Sequence, residues 1–484
     1  MRLLQKSGDE VALLATPSDE VSVGDYLLIE GDGDRALVVQ VYELTFLEYP
    51  GMLEDLVREE LLGTLTAVQQ QDPLQIVGVS RLIRDMRLVR CKARGTIAEG
   101  RFTPDIAWLP SRVNGRVRKA SIRHLWRAQG RRVPPDLVIG RVGEEGYGID
   151  WDDIDGRLTI VLGRKESGKS HLAKLLVSKL VEAGANVLIF DLNGEYGGLA
   201  FYSSGDPSPL ADKLETLSPG RNFRFSLREL GLATVASVLE HSLDTPPVTM
   251  RDFVRLWHEL SSKEAPTLRG LMDLIMASRL NEHVREALIS RLQVLASTGM
   301  VSDEGEGSLR WESRFSPPGR ALIIPLRYMT SVQRRIAVEI TLSKTVELLA
   351  RRRIPPLFLF AEEAQMYLRE THWDDLVTRM RHYGVFPIFI TNQPDALSQT
   401  VYRQADNLFL FHMSNERDLE DITKSMGLDR ETVVSVAKTL SLGRCLVLGR
   451  AARGLPMVVS IDPLQYRCEG QTNYFMPKRA TTTT

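Results

Sequence analysis

Cysteine is scarce, and what there is cannot form a cluster: Cys91, Cys445 and Cys468 lie far apart, with no C-x-x-C pair. That spacing argues against a zinc site and against a disulfide framework, and it points to a reducing cytoplasm. No run of about twenty apolar residues is available to cross a membrane. The opening Met1–Gly8 has no apolar core of the signal-peptide kind. A charge excess is also missing, because 61 Lys and Arg face 62 Asp and Glu, for a formal net charge of −1. Bulk attraction to a polyanion is therefore excluded, and any nucleic-acid contact has to come from a local patch or an assembled surface. No short-period internal repeat is visible.

What is present is an ordinary globular composition, 43% hydrophobic and 25% charged, in a 484-residue chain too long for one core. One octet dominates it: Gly163-Arg164-Lys165-Glu166-Ser167-Gly168-Lys169-Ser170, directly after the apolar run Leu158–Leu162 and before the helical stretch that starts at His171. Strand, glycine loop and helix start in that order make the G-x-x-x-x-G-K-[ST] phosphate loop, the Walker A motif. The glycines let successive backbone N–H groups turn toward a polyphosphate, and the helix start adds its positive end. Lys169 is placed to reach the outer phosphates of ATP and the Ser170 hydroxyl to hold Mg2+. The loop residues from Gly163 to Ser170, with His171, are the candidate nucleotide contacts.

Residues 1–110 read as short strands with turns, including a hairpin from Val23 to Val41 about an Asp-Gly turn and an alternating run at Met86–Ala93. A small antiparallel barrel is expected there. Residues 112–132 hold Arg112, Arg116, Arg118, Lys119, Arg123, Arg127, Arg131 and Arg132 with no acid, and Trp126 among them. Such a run can contact phosphates, but a solvated linker, or a face paired to acidic groups of a neighbouring subunit, is the favoured reading. From Pro134 onward, strands alternate with helices, as in a doubly wound parallel sheet. The expected boundaries are a barrel and basic linker over 1–133, an α/β core over 134–207 and 301–465, a helical insertion over 208–300, and a tail over 466–484.

A phosphate loop alone indicates nucleotide, not reaction. Glu362 and Glu363 directly follow the apolar strand Leu357–Ala361. One strand-end carboxylate can hold a divalent cation, and its neighbour can orient and deprotonate the attacking water. Glu362 is assigned the metal side and Glu363 the general base. Thr391-Asn392-Gln393-Pro394 ends another core strand, where Gln393 is placed to sense the outermost phosphate or to position water. Arg379 and Arg381 precede that strand; spaced by two, they cannot share one helix face, and one is a candidate finger reaching a neighbouring subunit's nucleotide. Asn392–Asp395 lacks the lysine of a GTPase base reader, and Leu440–Gly443 is an incomplete transporter signature placed after the acidic strand. The balance favours a RecA-like motor ATPase.

With these residues in view, the chain resembles the HerA branch of the HerA/FtsK superfamily of ring-shaped DNA-pumping ATPases. The resemblance rests on Gly163–Ser170, on Asp191-Leu192-Asn193-Gly194-Glu195-Tyr196, on Leu359–Gln365, and on Thr391–Pro394. It spans roughly 135–465, with a looser likeness of the amino-terminal strands to that family's HAS-barrel. It implies nucleotide-site roles for Asp191 and Glu195. It also implies a homohexamer with ATP between subunits, a pore for double-stranded DNA, and a partner nuclease or other effector at the barrel face, in DNA end processing or anti-phage defence. A tail over Ile461–Lys478 would brace the next subunit. An ATP-bound hexameric scaffold with little DNA pumping is the alternative. Three departures stand out: Gln365 where a His often follows, Asn392 beside the usual Thr-Gln-Pro, and Arg164-Lys165-Glu166, more charged than the common T-G-S type of loop.

Overall fold

The computed structural model describes residues 1–31, 34–47, 85–303, 310–368, 377 and 380–467. The chain divides into two compact units, Met1–Asp150 with His412–Ser460, and Trp151–Phe411 with the residues from Ile461. This division differs from the expected boundaries in grouping 134–150 and 412–460 with the amino-terminal strands.

In the first unit, β1 (Arg2–Ser7), β2 (Glu10–Ala15), β3 (Tyr26–Glu30), β4 (Arg35–Phe46), β5 (Arg87–Ala98), β6 (Arg101–Thr103) and β7 (Arg116–Lys119) form one antiparallel sheet. Its order is β1-β2-β5-β4-β3-β7, with β6 on β5. The period-two pattern explains the pairing: Val11, Leu13 and Ala15 of β2 point inward against Leu27, Ile29, Leu37, Val39 and Val89. The expected Asp32-Gly33 turn lies outside the described residues. Strands β17 (Arg444–Gly449), β18 (Met457–Ile461), β8 (Leu137–Val142) and β9 (Glu145–Ile149) also lie side by side in this unit, in that order.

The basic run belongs to this unit as β7 and the helix α1 (Ile122–Ala128). Its cations are largely engaged. Arg118 pairs with Glu30, Lys119 with Asp25 at 2.9 Å, and Arg132 with Asp136 at 3.4 Å. Arg131 lies 4.7 Å over the buried Trp126 ring and 3.6 Å from Asp150, which Arg453 also meets at 2.9 Å. These pairs lie within the chain itself, where the sequence reading expected a solvated linker or acids of a neighbouring subunit.

In the second unit, β12 (Leu214–Thr216), β13 (Ala321–Pro325), β11 (Asn186–Asp191), β14 (Leu357–Glu362), β15 (Val385–Thr391), β10 (Thr159–Leu162) and β16 (Asn407–Leu410) lie side by side in that order, every pair parallel. β10, β11 and β14 to β16 are buried along their whole length, and they read in sequence as continuous apolar runs rather than alternations. Between β11 and β13 in the chain come the edge strand β12 and then helices over Leu227–Ser237, Pro247–Lys263, Leu268–Ala277 and Glu282–Ser297. Parallel register sets the function: Leu162 pairs with Thr391, Glu362 with Ile390, and Phe190 with Ala361. The carboxyl ends of β10, β11, β14 and β15 therefore share one edge of the sheet, where ligands of open α/β sheets bind.

The segment expected to brace a neighbouring subunit begins by packing on its own unit. Tyr202 and Tyr466 stack at 5.8 Å, the Tyr466 hydroxyl donates to Glu182, and the Ser203 amide donates to the Gln465 carbonyl at 2.9 Å. Residues 468–484 lie outside the described residues. Among the described residues, no helix is long and apolar enough to cross a membrane.

Candidate active site

The phosphate loop connects β10 to α2 (Lys169–Glu182). Gly163 is required by crowding: a Cβ there would lie 2.5 Å from Phe411 Cβ and 2.9 Å from Ser167 Oγ. Gly168 starts the helix at φ 117°, in a region that disfavours side chains. Within the loop, the Ser167 hydroxyl and the Lys169 ammonium both donate to the Arg164 carbonyl, at 2.8 and 2.9 Å. Burial lowers the Lys169 pKa below the ordinary lysine value, while the charges of Glu363 and Glu362 act in the opposite direction. A buried ammonium held by one backbone oxygen is a group that a polyphosphate would satisfy better.

Beside it opens a cavity of about 640 Å³, lined by Lys165, Glu166, Lys169, Ser170, Glu195, Arg327, Glu363 and Gln393, with Leu192, Asn193, Gln365, Met366 and Asn392. Five separate chain segments thus meet at the sheet edge. Glu363 adopts φ 47° and Glu166 φ 61°. Left-handed backbone at a non-glycine residue costs about 1–3 kcal/mol and concentrates at functional sites. Here it turns Glu363 out of the buried strand and into the cavity.

Its neighbour Glu362 points the other way. It is 1% exposed, its Oε1 accepts from the Tyr196 hydroxyl at 3.0 Å, and its Oε2 accepts from Asn193 Nδ2 at 3.4 Å. Burial, then the charges of Glu195 and Asp191, push its carboxyl up to about 8. Such a carboxyl would be returned to its ionised form by a nearby cation, and hydroxyl and carboxylate oxygens suit Mg2+, which keeps waters and phosphate oxygens as its other ligands. Ser170 lines the cavity and Glu362 does not, so the donor types expected for Mg2+ are present, but Glu362 would have to give up Tyr196 or Asn193 to serve as a ligand. Among the described residues, no group of three or more His, Cys, Asp or Glu side chains could hold a metal unaided.

Asp191 is spent on the backbone. Its carboxylate accepts from the N–H groups of Gly194 at 2.7 Å, Glu195 at 3.1 Å and Tyr196 at 3.3 Å, so it folds the turn that presents the other two acidic-site residues. Gly194 takes φ 73° in that turn. Glu195 lines the cavity and pairs with Lys174 at 2.8 Å. His171 turns away, its Nε2 at 2.7 Å from the Asp462 carbonyl oxygen. Arg381 is exposed and does not line the cavity, and Arg379 lies outside the described residues. Sequence reasoning passed over Lys174, Asn193, Tyr196 and Arg327 as individual contributors. Tyr196 and Asn193 lay inside the quoted Asp191–Tyr196 segment, but their partner Glu362 is 166 and 169 residues away.

The chain is similar to known proteins over much of its length. Residues 138–333 match the family described as the central domain of helicase HerA. The DNA double-strand break repair helicase HerA of Sulfolobus acidocaldarius is 23% identical, over 93% of this chain and 90% of that protein. A probable helicase of Methanocaldococcus jannaschii is 21% identical, over 96% of this chain and 90% of its own length. Among solved structures, VirB4 of Thermoanaerobacter pseudethanolicus superposes with a TM-score of 0.52 at 17% identity, covering 68% of this chain and 97% of its own. The bacterial conjugative coupling protein TrwB gives 0.52 at 18%, covering 72% and 93%. At such identity the two structures show a shared fold.

Proposed function

We propose that this chain, a HerA-like ATPase of the HerA/FtsK superfamily, is an ATP-driven double-stranded DNA translocase or helicase. The carrying observation is the convergence on one cavity of Lys169 and Ser170 from the phosphate loop, Glu363 from the end of β14, and Gln393 after β15. Each supplies a different part of phosphoryl transfer to water. Lys169 and the loop N–H groups hold the outer phosphates and take up charge as the bond to the leaving phosphate breaks. Glu363 accepts the proton of the attacking water, and Gln393 orients that water. Ser170 and Glu362 would hold Mg2+, which when bound neutralises phosphate charge.

The finer reading is a homohexamer with ATP between subunits. In it, Arg379 or Arg381 reaches the neighbour's nucleotide, the amino-terminal sheet forms a small barrel, and a nuclease or other effector docks at that barrel face in the cytoplasm. The name of the Sulfolobus acidocaldarius relative supports work at DNA ends. The alternative, an ATP-bound scaffold with little DNA pumping, draws support from the internally paired cations of the basic run.

The test is ATP hydrolysis with and without linear double-stranded DNA, with Lys169→Ala and Glu363→Gln as controls. The motor reading expects DNA to bind and accelerate hydrolysis several-fold. Hydrolysis that ignores DNA rejects the motor and leaves the scaffold.

A further inference from the structure

Two of the departures from the family pattern, Gln365 and Asn392, sit on the general base. The Gln365 side-chain amide donates from Nε2 to Glu363 Oε2 at 2.6 Å, and its Oε1 accepts the Thr391 hydroxyl at 2.6 Å. Asn392 Nδ2 approaches the second Glu363 oxygen at 3.4 Å. The orientation of Gln365 is determined at both ends, since the reverse amide would set a carbonyl oxygen against a carboxylate. Thr391 Oγ1 also accepts the Gln393 N–H at 3.0 Å, so the network ends on a residue that lines the nucleotide cavity.

We propose that Gln365 is a positioning residue that latches Glu363 in a resting orientation and ties it to the Thr391–Gln393 strand end. An oxygen already accepting from an amide cannot take a proton from water along the same direction. Glu363 carries two such contacts while its backbone is held in the left-handed region. Movement of the strand end toward an occupant of the cavity would draw Thr391, and with it Gln365, off the carboxylate. The hydroxyl–amide–carboxylate chain thus makes release of the base conditional on what the cavity holds. This inference rests on the ATPase reading of the same site.

The experiment is steady-state ATP hydrolysis by the full chain without DNA, comparing wild type with Gln365→Leu, Gln365→His and Thr391→Val, and with melting curves for each. Gln365→Leu removes the donor at similar volume, so kcat should rise about threefold or more, with KM for ATP within about twofold. Gln365→His restores an N–H donor and should return kcat toward wild type. Thr391→Val frees the far end of the amide and should give a smaller rise. An activity-free measurement accompanies these: in the nucleotide-free protein, the Tm changes of Glu363→Gln and Gln365→Leu should be non-additive, because the two side chains share a bond. An unchanged or lower kcat in Gln365→Leu, or additive Tm changes, overturns the latch. Absence of hydrolysis in wild type overturns the ATPase reading instead, and the two failures are thereby distinguished.

Discussion

Two regions of this chain carry the positive charge and glycine that suggest an anion site, the phosphate loop at 163–170 and the basic run at 112–132. The structure treats them oppositely. In the loop, Lys169 is buried against a single backbone carbonyl, beside an open cavity with a carboxylate held in strained backbone. In the basic run, Arg118, Lys119 and Arg132 have acid partners, and Arg131 is packed on Trp126 between Asp150 and the tryptophan ring. One region keeps electrostatic demand unmet for a ligand; the other uses its charge to hold its own unit together. Local density of Lys and Arg is therefore a poor guide to anion binding, and unmet demand around them is a better one.

The sharpest way to break this contrast is to remove the loop's charge. Lys169→Ala should lower kcat about 10²–10³-fold, and Glu363→Gln about 10²–10⁴-fold, with melting temperatures nearly unchanged. A large loss of stability instead would make these residues structural. Next, Asp150→Ala strips the acid from buried Arg131 and from Arg453, and should destabilise by about 3–5 kcal/mol in denaturant titration. A near-neutral result would mean that the first unit does not depend on this internal pairing.

A smaller effect concerns pH. Glu362 has its carboxyl raised from 4.5 to about 8 in the fold, so the folded state holds that proton more tightly than the unfolded chain. Its contribution to stability is fully present below about pH 4.5 and is lost as pH rises through about 8. The Tm of nucleotide-free protein should fall between these limits more steeply than that of Glu362→Gln, and equal slopes would refute the assignment. Smallest of all, Arg123→Ala, at a side chain 64% exposed and 3.8 Å from Glu145, should change stability by less than about 0.5 kcal/mol. It should also leave the salt dependence of any DNA binding unaltered, because a solvated ion pair of this length is not a phosphate contact.

The candidate site was legible in the sequence wherever a contiguous motif encodes its own geometry. The octet at 163–170 specifies strand, loop and helix start within one turn. The pair Glu362–Glu363 follows an apolar run long enough to be a buried strand. What stayed hidden were pairings across the chain. Asp191 reads as a strand-end acid available to a ligand, yet its carboxylate is consumed by three backbone N–H groups of its own turn. Glu362 and Glu363 take different roles on paper, but how they part is not written locally: the positive φ at Glu363 sends it outward while Tyr196 and Asn193 hold Glu362 inside. His171, next to the loop in sequence, is claimed by the carbonyl of Asp462. The grouping of 412–460 with the first 150 residues depends on contacts such as Arg94 with Asp429 at 2.8 Å, which no local pattern announces.

The sequence by itself determined that this chain builds a phosphate loop on a buried parallel strand and ends a second such strand in two acids. Both follow from short-range rules of glycine conformation and apolar runs. Only the tertiary structure decided which acid faces the cavity, that Gln365, itself held by Thr391, grips it, and that Arg118, Lys119, Arg131 and Arg132 of the basic run meet acids of their own chain. Those outcomes depend on which groups from distant segments meet, and on what each has left to satisfy after burial.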